Sequence, residues 1–489
     1  MPTPVRVRFA PSPTGLLHIG GLRTALYNWL LAEKSGGAFV LRIEDTDQAR
    51  FVEGAEDDIR ANLQWAGLGV DEGPASGGPF APYRQSERSA LYRQAADRLI
   101  ASGDAYVAFD TAEELDTMRQ RLATKENPSP RYDREGMTNA LTLGAEETEA
   151  RIARGEAHVV RLRVPRGETV TFTDAIRGEV TFSTDEVDDQ VLVKSDGLPT
   201  YHLANVVDDH GMEITHVVRG EEWLPSTPKH VLLYRALGWA PPAFAHLPLI
   251  LAPTGGKLSK RNAEKLGIPV NVRAYREAGY EPEAVVNWLA FLGWNPGDER
   301  EMFSLAELAE AFSLDRIGSS GVQLSMDKLA WFNGQYLRAM SPEALADRAS
   351  GAVAERHGSV PHQRIVAAAG LLRERLTLAR DLADAGYLFG DVSEYEASGV
   401  KKRWKDDSAR LVRLYADRAE ALSAWTAETT EQSMRDVAAE EEVGFGRIIH
   451  PVRLAVTGST AGAGMFETLV LVGQEATVAR LRRAAEVLG

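Results

Sequence analysis

Two stretches far apart in the chain carry residue types suited to a polyphosphate. The first, APSPTGLLHIGG at 10–21, places a Pro11-Ser12-Pro13 turn, a histidine and two glycines directly after the alternating run VRVRF at 5–9. Pro11 and Pro13 stiffen the turn, and Gly20 and Gly21, lacking Cβ, would let a nucleotide lie against a first helical turn. His18 would then face the phosphates and donate a hydrogen bond to an equatorial oxygen as phosphorus becomes five-coordinate. The second, KLSKR at 257–261, follows TGG at 254–256. Mobile glycines there would let Lys257 and Lys260 close over a triphosphate and neutralise charge as pyrophosphate leaves. Read singly, HIGG is also an ordinary turn and helix start, and KLSKR an exposed basic turn. Their joint occurrence is far less probable by chance.

The elements that must position these residues follow from periodicity. Val5 to Phe9 alternates like a strand, and Phe39 to Ile43 gives a second. Between them Leu22, Ala25, Leu26, Trp29 and Leu30 fall on one helical face. Strand, helix, strand predicts a right-handed βαβ unit opening a doubly wound nucleotide-binding sheet, in which ligands bind at the carboxyl ends of strands beside helix N-termini. Residues 67–84 and 124–136, dense in Gly and Pro, read as long loops. Short β-rich runs from 158 to 194 suggest a small inserted domain, and beyond about 270 helical periodicity takes over.

At 489 residues the chain exceeds one core, so roughly three domains of ~150 residues are expected. A net charge of -15 alone argues against a nucleic-acid partner, but KKRWK at 401–405 and RLRR at 480–483 are local basic clusters that the sum conceals. The chain contains no cysteine, which removes disulfide frameworks and thiolate zinc sites and makes the cytoplasm the default. The start shows no apolar signal core, and the longest apolar stretch, AVVNWLAFLGW, is about half the ~20 residues of a membrane span. Neither export nor membrane insertion is expected.

APSPTGLLHIGG with KLSKR resembles the paired HIGH and KMSKS signatures of class I aminoacyl-tRNA synthetases. More narrowly, RFAPSPTG, RIEDTD, YRQSER, DGLPTYHLANVVDDH and RGEEWLPSTPKH are similar to bacterial glutamyl-tRNA synthetases, and HPVRLAVTG at 450–458 resembles their anticodon-binding part. The resemblance spans essentially the whole chain. It implies a Rossmann-type doubly wound parallel sheet with an inserted α/β domain, followed by all-α C-terminal domains. The expected boundaries are 1–105 for the first half of the catalytic domain, 106–195 for the inserted acceptor-binding domain and 196–265 for the second half with KLSKR. A helical stem-contact domain at 266–325 and an anticodon-binding domain at 326–489 follow. Two departures stand out: Gly21 occupies the last HIGH position, and no cysteines are present to hold zinc in the insert, so no zinc is expected.

The resemblance also implies roles. ATP, arriving with magnesium, would be held by His18, Gly20, Gly21, Glu222, Leu258, Ser259, Lys260 and Arg261, with His18, Lys257 and Lys260 stabilising transition-state charge. Glutamate would be held by Arg8, Ala10, Ser12, Glu44, Tyr201, Asn205 and Arg219. Arg8 grips the γ-carboxylate, Glu44 pairs with the α-ammonium, and glutamine would leave Arg8 buried and unpaired. Read without the resemblance, Arg8 is equally an edge-strand residue and Glu44 part of a solvated acidic turn. Asp208, Asp209 and His210 suggest metal ligation by type but suit helix-end capping or a tRNA-facing surface as well, and no protein-bound metal is expected. Arg375, Arg447 and Arg453 are the anticodon candidates in tRNA(Glu). The implied reaction is ATP-dependent formation of glutamyl-adenylate and transfer to the terminal adenosine, by a monomer, with bound tRNA needed for efficient activation. A non-discriminating form that also charges glutamine tRNA is the alternative. Small nucleotidyltransferases lack the helical C-terminal part, and glutaminyl-tRNA synthetase carries β-barrels there.

Overall fold

The computed structural model describes residues 4–258 and 260–489, and Ser259 of the KLSKR motif lies outside them. Two compact units emerge, one holding the residues up to Ala278 with Pro282–Met326, the other Gly279–Glu281 with Asp327–Gly489.

In the first unit, strand β1 (Arg6–Phe9) pairs in parallel with β2 (Ala38–Leu41), Arg8 opposite Val40. Helix α1 (Ile19–Ser35) connects them and ends at Gly36, whose left-handed φ of 57° lets its N–H turn back to Glu33. Leu22, Ala25, Leu26 and Leu30 are buried as the periodicity predicts. Trp29 is only half-buried, and Tyr27 takes the core position, its hydroxyl donating to the carbonyls of Ala290 and Leu292. A hydroxyl that finds two carbonyls can be buried like a hydrocarbon, which apolar spacing does not register.

Strands β8 (His216–Gly220) and β9 (Ala243–Leu247) run parallel, and Thr215 N donates to Arg6 O at 2.9 Å, tying the start of β8 to β1. The parallel pairs β1 with β2 and β8 with β9 are the strands of the doubly wound arrangement. The strands of the expected insert at 106–195 fall in two sheets. Strands β3 (Ala105–Ala108), β4 (Val159–Leu162) and β7 (Val191–Val193) form their own antiparallel sheet. The hairpin β5 (Thr169–Asp174) and β6 (Gly178–Ser183) instead joins the catalytic sheet beside β9, through Asp174 opposite Phe244. The buried face of β5, Val170 and Phe172, packs on Phe244, so the hairpin's apolar alternation is satisfied by the catalytic core.

Past 270 one two-residue strand remains, β11 (Val322–Gln323), parallel to β10 (Ile250–Leu251). The second unit is helical among the described residues, around buried Leu345, Leu372, Tyr415, Met434, Ile448 and Leu481. No described helix is long and apolar enough to cross a membrane.

Candidate active site

A cavity of about 520 Å³ opens at the carboxyl ends of β1 and β8, and it is lined by residues from both signature stretches. Its phosphate-suited side begins at the N-terminus of α1. His18 is the N-cap, and its Nδ1 accepts from Gly21 N at 3.0 Å. In the neutral ring this places the proton on Nε2, the atom that can donate to a phosphate oxygen. The backbone at His18 is clamped: Ile19 N donates to Val270 O at 3.0 Å and Val272 N to Leu17 O at 2.9 Å. Gly20 and Gly21 have a reason beyond room for a ligand. A Cβ at Gly20 would lie 3.3 Å from His18 Nδ1, and one at Gly21 would lie 2.9 Å from Leu17 Cδ1.

Lys257 and Leu258 also line the cavity. The preceding glycines are set in a hydrogen-bonded turn. Gly255 and Gly256 have φ of 86° and 74°, Ala252 N donates to Gly256 O at 2.9 Å, and Leu258 N returns to Ile250 O at 3.0 Å. This small hairpin presents Lys257 from an ordered edge. Lys260 starts the short helix Lys260–Lys265, and Arg261 is exposed and outside the lining. Glu222, also exposed, lines the cavity beside Gly220.

The carboxylate-suited side is buried. Arg8 on β1 gives Nε to Asp209 Oδ1 at 3.0 Å and Nη2 to Oδ2 at 3.3 Å. Arg42, fully buried, shares Asp209 Oδ1 at 2.6 Å and reaches Glu44 Oε1 at 3.1 Å. Arg8 is therefore paired before any ligand arrives, which corrects the expectation that glutamine would leave it without a partner. Its Nη1 is hydrogen-bonded to none of the described residues, and Arg8 lines the cavity. A carboxylate accepts those N–H groups, whereas an amide offers one oxygen and sets its own donors against the guanidinium. Burial opposes ionisation of Asp209, but Arg8 and Arg42 overcome it and hold its carboxyl below the ordinary range. Burial pushes Glu44 up despite Arg42 and Arg8.

Asp208 is likewise a buried anchor, accepting from Arg88 Nε at 2.7 Å, Tyr92 Oη at 2.8 Å and Gln85 Nε2 at 2.9 Å. His210 stacks on Trp239 with ring centres 3.9 Å apart. All three residues of the DDH run thus have structural partners, and among the described residues no group of three or more His, Asp or Glu is arranged to hold a metal.

Tyr201, Asn205 and Arg219 complete this side with Ala10 and Ser12. Arg219 Nη1 donates to Tyr201 Oη at 3.0 Å, and Asn205 Nδ2 approaches the same oxygen at 3.4 Å. Burial raises the Tyr201 pKa, so the hydroxyl stays protonated. Trp223, which the sequence reading missed, lines the cavity with its ring centre 4.2 Å from that of Tyr201. Arg42 was also missed, although it begins RIEDTD; a basic residue two places before Glu44 was the available signal.

In the helical unit Arg375 is exposed. Arg453 donates to Ala463 O at 2.9 Å, and burial, with Arg375 nearby, lowers its pKa. Tyr387 lies close enough to feel both guanidiniums. Arg447 is engaged elsewhere, in an ion pair with Asp407.

The comparisons with known proteins follow these divisions. The catalytic-domain model of "tRNA synthetases class I (E and Q)" matches residues 4–331, and an "Anticodon binding domain" matches 331–485. The fold is thus that of a class I aminoacyl-tRNA synthetase. A glutamate-tRNA ligase of Amoebophilus asiaticus is 46% identical over 507 aligned positions, covering 100% of this chain and 99% of its own. One from Cytophaga hutchinsonii is also 46% identical, covering 98% and 97%. A crystal structure of a glutamate tRNA ligase from Elizabethkingia meningosepticum, in complex with its amino acid, superposes with a TM-score of 0.94 at 41% identity, covering 99% of this chain and 100% of that one. The chain belongs to the glutamate-tRNA ligase family.

Proposed function

We propose that the cavity joins L-glutamate to ATP and passes the glutamyl group to the 3'-terminal adenosine of tRNA(Glu). The observation that carries this reading is the meeting, in one cavity, of a buried guanidinium and carboxylate with a helix-cap imidazole and the Lys257 edge. Arg8, Tyr201 and Arg219 supply donors to the glutamate carboxylates, with Asn205 beside Tyr201, and Glu44 with Ser12 takes the α-ammonium. The backbone at Ala10 lies alongside. The α-carboxylate attacks the α-phosphorus, and pyrophosphate departs. His18 donates from Nε2 to the developing charge, and Lys257 and Lys260 neutralise the leaving group. Gly20 and Gly21 let the adenosine side approach, and Glu222 and Leu258 border the nucleotide, while Arg261 stands outside the lining and Ser259 outside the described residues. Magnesium enters with ATP and supplies charge neutralisation on the phosphates.

Arg375 and Arg453, beside Tyr387, are the anticodon-reading candidates, with Arg447 weakened by its ion pair. The enzyme acts as a cytoplasmic monomer, and sedimentation of the purified protein checks the monomer. The reading that it also charges glutamine tRNA gains no observation over this one.

The test is aminoacylation of purified tRNA(Glu) with glutamate and with glutamine, alongside ATP-pyrophosphate exchange with and without tRNA. Glutamate is expected to be charged and glutamine rejected, and Arg8→Gln is expected to abolish glutamate charging. Equal charging of both amino acids, or an undiminished Arg8→Gln, refutes the assignment.

A further inference from the structure

Arg219 is held from behind by a chain of groups that does not touch the cavity. Its Nε donates to His246 Nε2 at 3.1 Å, and His246 Nδ1 lies 2.6 Å from Asp174 Oδ2. Asp174 and His246 are both buried, and neither lines the cavity. A guanidinium has only donors, so Nε2 must be the acceptor and the proton must sit on Nδ1, facing the carboxylate. Asp174 therefore selects the tautomer that can receive Arg219. The rest of the guanidinium is fixed by Thr227 Oγ1 at 3.0 Å on Nη2, and by Tyr201 Oη at 3.0 Å and His230 Nδ1 at 3.2 Å on Nη1. With Arg219 donating to its oxygen, the Tyr201 hydroxyl must direct its own proton elsewhere, and Tyr201 lines the cavity.

Asp174 also sits at an unusual place in the chain. It is the last residue of β5, on the hairpin contributed by the inserted segment, and its Oδ1 accepts from the N–H groups of Ile176 and Arg177 at 3.0 and 3.1 Å. The same turn reaches the catalytic unit again through the Arg177 to Glu221 ion pair. We propose that Asp174, acting through His246, is a positioning residue for Arg219 and Tyr201, so that the inserted hairpin sets the affinity for the amino acid. This rests on the assignment of Arg219 and Tyr201 to the glutamate carboxylates. Neither Asp174 nor His246 touches substrate. Their contribution is to hold a donor array in place before the ligand arrives.

The test compares Asp174→Asn, His246→Ala and His246→Gln with wild type in ATP-pyrophosphate exchange with tRNA(Glu) present, reading KM for glutamate, KM for ATP and kcat. Loss of one buried acceptor for a guanidinium corresponds to about a tenfold change, so His246→Ala is expected to raise the glutamate KM about that much, with ATP KM and kcat within about twofold. His246→Gln, whose Oε1 can accept the Arg219 Nε–H, is expected to recover most of the loss. Asp174→Asn keeps an oxygen for the turn, but its amide NH2 favours a proton on Nε2 and sets two donors face to face, so the glutamate KM rises there too. Should His246→Ala fail to fold, Asp174→Asn and His246→Gln decide: a raised KM in the first and a near-normal one in the second supports the proposal. An unchanged glutamate KM in Asp174→Asn, or a loss shared equally by ATP and glutamate, overturns it. Wild type that exchanges normally beside unaffected variants removes only this proposal, whereas wild type inert toward glutamate removes the functional reading and the proposal with it.

Discussion

Arg8 and Arg42 share the Asp209 carboxylate, so the guanidinium proposed to meet glutamate is oriented by a side chain outside the cavity lining. Replacing Asp209 by Asn leaves one acceptor for two buried guanidiniums and an amide donor turned toward them. Removing one member of a buried ion pair costs about 3 kcal/mol, so Asp209→Asn is expected to lower the thermal unfolding midpoint by several degrees and to weaken glutamate binding at least about tenfold. Differential scanning calorimetry and glutamate titration of the exchange reaction check both parts. A second prediction concerns the histidines around Arg219. Burial, with Lys229 and Arg219 adding to it, lowers the His202 pKa from 6.5 to about 3, and burial likewise lowers those of His230 and His246. In the unfolded chain these rings take protons near pH 6.5. Below that pH the unfolded state binds more protons than the native one, so stability is full above about 6.5 and declines as pH falls toward 3. Unfolding midpoints between pH 7 and pH 4 should show that decline, and His202→Asn, which removes one such ring, should make it shallower.

At the N-terminus of α1 His18 caps the helix, and the chemical role proposed for the same side chain can be separated from that cap. Asparagine caps helices as well as any residue, while alanine forfeits about 1 kcal/mol of cap. His18→Asn should therefore leave thermal stability near wild type and still lose most adenylate formation, whereas His18→Ala should lose both. Equal exchange rates in His18→Asn and wild type would show the imidazole to be a cap alone. At this scale periodicity alone made β1, α1 and β2 legible, with the signature stretches at their ends, whereas Arg8, Glu44, Tyr201, Asn205 and Arg219, which line one cavity, were reached only through the resemblance. Tertiary partnership was not legible. Nothing in TVTFTD says that its strand completes the catalytic sheet rather than the insert's own, and nothing in VVDDH says that two adjacent aspartates on one helix turn toward Arg88 and toward Arg8. The glycines before KLSKR carry positive φ angles within a hydrogen-bonded turn, a local conformation that the sequence alone did not specify.

Over the whole chain the net charge is -15, which opposes a polyanionic partner, so affinity for tRNA must arise from a few cations in local patches. The arginines of the helical unit differ in how much charge they have to offer. Arg447 spends its guanidinium on Asp407, and Arg453 gives a donor to Ala463 O while half-buried. Arg375 is exposed, and its guanidinium is within electrostatic reach of the part-buried Tyr387. Arg375→Ala should thus raise the KM for tRNA(Glu) while leaving the glutamate and ATP KM values in place, and should reduce the slope of log affinity against log salt by about 0.7, the value for one single-strand phosphate contact. If Arg375 instead reads a base edge, affinity falls with the slope unchanged, and tRNA variants at one anticodon position lose their disadvantage. Arg447→Ala should change the tRNA KM less than Arg375→Ala, because it removes a cation already neutralised. Should Arg447→Ala prove the more damaging, the order of charge availability drawn from these ion pairs is wrong, and the anticodon surface lies nearer Asp407 than Tyr387.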